Sequence, residues 1–370
     1  MLKKLIFLML LVPNFAWSAP SITSTSGTFT HGSSFTIPGS GFQTKSTPTP
    51  LFYDNFDSND TGRQNRNTIH TKNASHYGVW ANITGAEVPT YSNANQRGVS
   101  TLSSYVHFWA EKYHNSGFIQ ANFSENHVPT LMFSYWIRVS YANATGDGNV
   151  KVTKLLDNSG QYSDDHDNLQ DAFQFARAPK EAYMNVWAGS DGQPSVWPDN
   201  NGSSQLGYTV PFDNWYQVTW FRKAGTNGNS DGKEWVIVNG TTLKNTSFAH
   251  NWNIGKKWCW LVLGNYIANY TTLDVYFQFD DVYIDNTWQS VWTGNASTWS
   301  SCTHREIQIP TAWSDTSITI TGNQGSFATG STVYLYVVDD NGNVNSQGYP
   351  VIIEKAVSPP SPPQGLRITN

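Results

Sequence analysis

The sequence predicts an all-β protein, a large β-sandwich with a smaller β-sandwich beside it, and three observations carry that expectation. Sixteen Trp, eighteen Tyr and nineteen Phe accompany 29 Gly and abundant Asn, Ser and Thr, while helix formers are scarce, with four Met and seven Glu in 370 residues. Short alternating runs are separated by turn pairs such as Asn239-Gly240 and Asn341-Gly342. No long segment keeps a helical period. So many aromatic rings suit a large sandwich core, and they equally suit a sugar-binding surface, where flat rings stack on pyranose C–H faces while Asn, Gln and Asp reach hydroxyls.

Residues 1–19, MLKKLIFLMLLVPNFAWSA, place Lys3 and Lys4 before the apolar run Leu5 to Val12 and small residues at Ser18 and Ala19. This is the pattern of a secretory signal peptide, and it implies a secreted, periplasmic or cell-surface protein. The run is far shorter than the roughly 20 apolar residues of a membrane span, and no other segment qualifies, so no span is expected. The formal net charge is −5, and loss of the two lysines makes the mature chain more acidic. With no basic run to set against this, nucleic acid is excluded as a partner. The length predicts two domains.

The stretch PSITSTSGTFTHGSSFTIPGSGFQTK opens the mature chain, and its SFTIPGSGF alternates and ends in a Gly-Ser-Gly turn. It resembles the opening of an immunoglobulin-like domain of the IPT/TIG kind. Residues 20–49 are too few for such a sandwich, which needs roughly 80 to 100 residues. Near the other end, GSTVYLYVVDDNGNVNSQGYPVII resembles the late strands of the same family. Strands are expected at 317–321, 332–338 and 349–353. The resemblance therefore implies one discontinuous Ig-like domain built from residues 20–49 and 289–355, with two half-domains and open sheet edges as the less stable alternative. Residues 356–370, rich in Pro and Ser, read as an extended tail.

Residues 50–288 form the inserted module, from LFYDNFDSND to FQFDDVYIDN. Alternation predicts strands at 106–113, 118–123, 131–139, 150–156, 172–178, 183–187, 215–221, 235–239 and 260–264. In WYQVTWFRKAGTNGNSDGKEWVIVNGTTL, a W-x-x-V strand meets a Gly/Asp-rich turn and a strand ending in W-V-x-V-N-G. This arrangement resembles the concanavalin A-like jelly rolls of secreted lectins, LamG-type modules and polysaccharide lyases. The resemblance implies that the first and last strands of the module are neighbours.

FQFDDVYIDN sets a puzzle, because strict alternation puts Asp280 and Asp281 on opposite faces, with Asp281 beside Phe277, Phe279 and Tyr283 and Asp280 beside Val282 and Ile284. A buried carboxylate needs a cation, a metal or several hydrogen bonds. The neighbouring first and last strands implied by the resemblance bring Asp54 and Asp57 towards Asp280, a set of hard oxygens suited to a structural Ca2+. The alternative is hydrogen bonding from amides or pairing with Lys or Arg. A second acidic group, Asp164, Asp165, Asp167 and Asp171, lacks the Gly and Glu of an EF-hand and reads as a solvated loop. Cys259 and Cys302 are the two cysteines; in an exported chain they predict one disulfide, with two free thiols as the alternative.

Chemistry is less legible than fold. The E-x-D-x-x-E or E-x-D-x-E strand of retaining jelly-roll glucanases is absent from the sequence. Zinc spacing, phosphate loops and a G-x-S-x-G elbow are absent too. A lyase asks only for a neutraliser of the uronate carboxylate, such as Arg, Gln or Asn, and a Tyr, His or Lys to move the proton. If the central strands share a concave sheet, Trp136, Arg138, Gln174, Asn185, Trp187 and Gln217 line one groove. Trp136 and Trp187 are then sugar-stacking rings, whereas Trp220, sharing a face with Tyr216 and Val218, belongs to the core. Arg138 equally suits a pair with a surface acid. The expected function is lectin-like recognition of a polysaccharide in that groove, with a uronate-directed polysaccharide lyase and a non-catalytic adhesion module as the alternatives.

Overall fold

The computed structural model describes residues 18–57, 68–69, 77–84, 88–109, 118–122, 128–145, 149–156, 170–176, 183–189, 204–209, 211–225, 229, 231–248, 260–268 and 272–355. The expected signal peptide lies almost wholly outside the described residues, as do the tail 356–370 and Cys259. The fold is all-β. Among the described residues the only helical element is a single 3-10 turn, and no helix is long and apolar enough to cross a membrane.

Two sheets form a jelly-roll sandwich. An eight-stranded sheet runs in the order Thr241–Phe248, Gly232–Val238, Trp215–Lys223, Thr130–Thr145, Thr272–Asp285, Ser103–Trp109 and Thr90–Ser92, with Phe52–Asp54 also paired to Thr272–Asp285. The facing seven-stranded sheet runs Ser204–Thr209, Tyr183–Gly189, Gln170–Ala176, Asn149–Leu156, Trp260–Ala268, Phe118–Asn122 and Trp80–Thr84. Period-two alternation explains how they meet. On Thr130–Thr145 the side chains of Leu131, Phe133, Tyr135, Ile137 and Val139 enter the core, where Tyr216, Val218 and Trp220 join them from the next strand. The seven-stranded sheet contributes Ile119, Ala121, Val152, Leu155, Leu261 and Leu263. Trp220 is 1% exposed, lies edge-on to Phe133 at 5.5 Å and donates Nε1 to Glu234, the core role expected of it.

The two chain ends meet in a third sheet. Ser21–Ile22 and Ser34–Ser40 from one end join Ser317–Thr321, Arg305–Trp313, Ser290–Gly294, Thr332–Val338 and Tyr349–Ile352 from the other. Their apolar side chains form a separate core in which Phe35, Ile37 and Phe42 pack with Ile318, Ile320, Val333, Leu335 and Val351. We call this the terminal unit.

The terminal unit sits on the outer face of the eight-stranded sheet. A third apolar cluster fills the seam, with Tyr53, Met132, Phe221, Trp235, Ile237 and Tyr283 from the jelly roll against Trp288, Trp292, Ile307, Ile309, Tyr336 and Val338. Phe221 stacks on Trp235 at 4.8 Å and meets Trp288 edge-on at 5.6 Å. A fully buried large apolar side chain contributes about 1.5–3 kcal/mol, so a seam this rich in aromatics is a firm contact.

Cys302 is a buried free thiol in this unit. Its Sγ lies 3.3 Å from the Thr298 carbonyl oxygen and 3.7 Å from the Tyr336 hydroxyl. Cys302 is thus free and enclosed by the terminal unit's own loop, while Cys259, the other half of the expected disulfide, lies outside the described residues.

Candidate functional site

The six residues expected to line one groove lie on two different sheets. Trp136, Arg138 and Gln217 are on the outer face of the eight-stranded sheet, with Gln217 opposite Trp136 and Trp215 opposite Arg138. Gln174, Asn185 and Trp187 belong to the seven-stranded sheet, across the sandwich. One groove cannot hold all six.

The terminal unit covers Trp136. Trp136 is 5% exposed; its Nε1 donates to Glu306 Oε2 at 3.0 Å, and the Arg97 guanidinium lies 4.6 Å from its ring centroid. Gln217 is 4% exposed. Arg138 keeps some exposure and pairs with Asp213 at 3.0 Å while also donating to Gln278, which realises the surface-pair alternative. Trp136 is thus a seam residue, inaccessible to a sugar.

The paired aspartates resolve in the same seam. Register along Thr272–Asp285 shifts between Asp280 and Tyr283: Asp280 faces Trp136 and Tyr283 faces Ser134, so three steps on one strand answer two on the other. Asp281 is the extra residue, with φ +47. Such a β-bulge turns a side chain without ending the strand. Asp280 and Asp281 therefore share the outer face, and Val282 and Ile284 return to the core. Both acids meet Arg97, with Nε 3.3 Å from Asp280 and Nη2 bonded to Asp281. Arg97 Nη1 reaches Glu306 of the terminal unit at 2.7 Å.

The expected calcium ligands do not converge. Asp54 does lie on the strand beside Thr272–Asp285, but it accepts from the Phe56 amide and from Trp80 Nε1, each at 2.8 Å. Asp57 Oδ1 accepts from the amides of Thr101 and Leu102 and from the Thr101 hydroxyl, all at 2.7 Å. Asp280 accepts the Asp281 amide at 2.8 Å besides facing Arg97. With its oxygens committed to separate donors and a guanidinium, this set does not fit a Ca2+ ion, and no group of three metal-ligating side chains gathers among the described residues. The acidic loop 164–167 lies outside the described residues, while Asp171 lies on the Gln170–Ala176 strand.

The outer face of the seven-stranded sheet is the second candidate surface, and register defines it. Phe173 pairs with Thr153, whose hydroxyl meets the core residue Tyr135. The neighbouring positions Ala172 and Gln174 are therefore on the outer face. Gln174 pairs with Asn185 on one side and Lys151 on the other, Asn185 pairs with Gln205, and Lys151 pairs with Tyr266. These five residues make one row across five strands, about 19 Å long at the usual strand spacing.

A parallel row contains Trp187, Ala172, Lys154, Val262, Gln120 and Asn82. Gln120 is 2% exposed, and its Nε2 has no hydrogen-bond partner. A buried amide donor left unmet costs on the order of 1–3 kcal/mol; with Val262 beside it at 0% exposure, this end of the row is covered and not open to a polymer. Lys151 and Lys154 share this face because the register shifts between Phe173 and Gln174. Plain alternation would have separated them. Three of the expected residues, Gln174, Asn185 and Trp187, thus share a face with two lysines and a tyrosine that strand periodicity alone did not collect.

No family model and no curated protein matches the chain. Solved structures similar to it include the alginate lyase Aly36B, 14% identical over 65% of this chain and 98% of that chain with a TM-score of 0.44. The PL-14 alginate lyase from Aplysia kurodai is 11% identical over 64% of this chain and 98% of that chain, TM-score 0.46. The endo-β-1,4-glucuronan lyase from the fungus Trichoderma reesei is 15% identical over 65% of this chain and 97% of that chain, TM-score 0.42.

Proposed function

We propose that the chain binds a uronate-containing polysaccharide across the outer face of the seven-stranded sheet and cleaves it as a lyase. The observation that carries this reading is the register row Tyr266, Lys151, Gln174, Asn185 and Gln205. It sets a proton-moving Lys and Tyr directly opposite one another, beside amides that can hold a carboxylate. On a chain of net charge −5, two lysines on one sheet face make a local attraction for a polyanion.

In this reading Gln174, Asn185 and Lys154 neutralise the uronate carboxylate, which acidifies the proton on the adjoining ring carbon. Lys151 and Tyr266 remove that proton and return one to the leaving glycosidic oxygen. The C–H and C–O bonds break, a C=C bond forms between the ring carbons, and no water is consumed. Trp187, at the end of the parallel row, is placed to stack on a neighbouring sugar.

The test is incubation with polymannuronate, polyguluronate, polyglucuronate and a neutral glucan, following the ultraviolet absorbance of an unsaturated uronate. A rise with at least one polyuronate and none with the glucan is expected. Lys151→Ala or Tyr266→Phe should reduce the rate by on the order of a hundredfold. Binding of a polyuronate without product would leave the lectin-like reading standing and remove the lyase. Neither binding nor product would overturn the proposal.

A further inference from the structure

The seam between the jelly roll and the terminal unit contains more buried acid than base. Arg97 meets Asp280, Asp281 and Glu306, and none of the four side chains is more than 3% exposed. Tyr53 donates to Asp281 at 2.6 Å, and Asp54 and Asp57 add negative potential from the first strand of the module and the turn after it. From the terminal unit, His304 Nε2 lies 2.8 Å from Glu306, with its side chain 27% exposed. One guanidinium cannot neutralise three buried carboxylates, and ionised groups without partners are costly away from water.

The hydrogen bonds identify which acid carries the remedy. Glu306 accepts from Arg97, from Trp136 Nε1, and from the Ser326 amide at 2.9 Å, besides facing His304. Burial pushes this carboxyl up, but Arg97, His304 and the Ser326 amide outweigh it and hold it below its ordinary value. Asp280 has the longest contact to Arg97 of the three, with the Asp281 amide and Ser100 as its other donors. Burial pushes it up to about 7, against the lowering by Arg97 and Ser100.

We propose that Asp280 holds the proton that closes the seam, making the Arg97 cluster a latch that grips the terminal unit in mildly acidic surroundings and loosens when that proton leaves. The Val99 amide, which crosses the seam to the Gly325 carbonyl at 3.1 Å, reports directly on the grip.

The sign follows from linkage. With its native value raised, Asp280 contributes stability that is complete below its unfolded value near 3.8 and is lost as pH rises through about 7. Glu306, with its native value lowered, acts oppositely below its ordinary 4.5. Stability from this cluster therefore peaks at roughly pH 4–5. Asp285, raised by burial despite Lys45, adds to the alkaline slope from a separate site, so only a variant isolates Asp280.

Hydrogen exchange at the Val99 amide, corrected for the intrinsic rate, tests the latch between pH 5 and 8. Wild-type protection should fall by up to about a hundredfold between pH 5 and 7, at tenfold per unit, and then level off. Asp280→Asn should lose most of that fall, keeping only the shallower slope that Asp285 supplies. Glu306→Gln, which removes a neighbouring negative charge, should move the fall to lower pH, and it decides the matter if the first variant does not fold. Protection independent of pH in the wild type, a wild-type slope in Asp280→Asn, or an unmoved midpoint in Glu306→Gln would overturn the proposal.

Discussion

Trp136→Ala separates a seam residue from a sugar-stacking one. The ring is 5% exposed, so truncation removes almost all of its packing. A buried Trp→Ala change costs about 3–5 kcal/mol. The substitution also strips Glu306 Oε2 of its indole donor and removes the ring beneath Arg97. Leaving a buried carboxylate oxygen short of a donor adds on the order of 1–3 kcal/mol, and the lost cation–π contact about 0.5–2 kcal/mol. These terms overlap, and the expected total is at least about 4 kcal/mol. Trp136→Phe keeps a ring and loses the indole bond, with an expected loss of about 1–2 kcal/mol. Urea melts followed by tryptophan fluorescence, compared at constant slope, measure both losses. Trp220→Ala should fall in the same range as Trp136→Ala, since both rings are buried. A Trp136→Ala protein less than about 1 kcal/mol below wild type in stability, but impaired in glycan binding, would refute the seam assignment.

Three further outcomes follow from the same geometry. Gly98 has φ +56, and a Cβ there would stand 2.2 Å from the Gly325 carbonyl oxygen, so Gly98→Ala should cost at least about 2 kcal/mol in a denaturant melt; an unchanged midpoint would contradict the close seam. A chelator should leave the melting temperature unaltered by way of Asp54, Asp57 and Asp280, whose oxygens are taken by other donors; a calcium-dependent rise abolished by Asp280→Ala would restore the metal reading. Cys302 should resist thiol reagents in the native protein and react on unfolding, because it is 1% exposed; rapid native labelling would show that the loop around it opens.

Alternation made the strands legible, and most of the expected runs in the module are strands in the structure, including Thr130–Thr145, Trp215–Lys223 and Trp260–Ala268. Where the sequence misled, one extra residue was responsible. A bulge at Asp281 brings two adjacent acids to one side, and the register shift near Val152 brings Lys151 and Lys154 to one face. A shift of one residue exchanges the faces of everything beyond it, and nothing in DDV or VKVTK announces it. Trp136 failed for another reason. A ring beside Ser134 and Arg138 is the composition of a sugar groove and equally of a contact between two folded units, and only the position of the terminal unit separates the two. The Arg97 partner of Asp280 was hidden because it lies on a loop far away in the chain.

The mass of the products from a polyuronate digest tests the central claim most directly. Elimination leaves each new non-reducing end unsaturated and one water lighter than hydrolysis would leave it. Oligomers of the unsaturated mass from the wild type, and none from Lys151→Ala or Tyr266→Phe of unchanged melting temperature, are the expected result. Oligomers of the hydrated mass, or unsaturated oligomers in undiminished yield from both variants, would contradict the assignment of lyase chemistry to this face of the sheet.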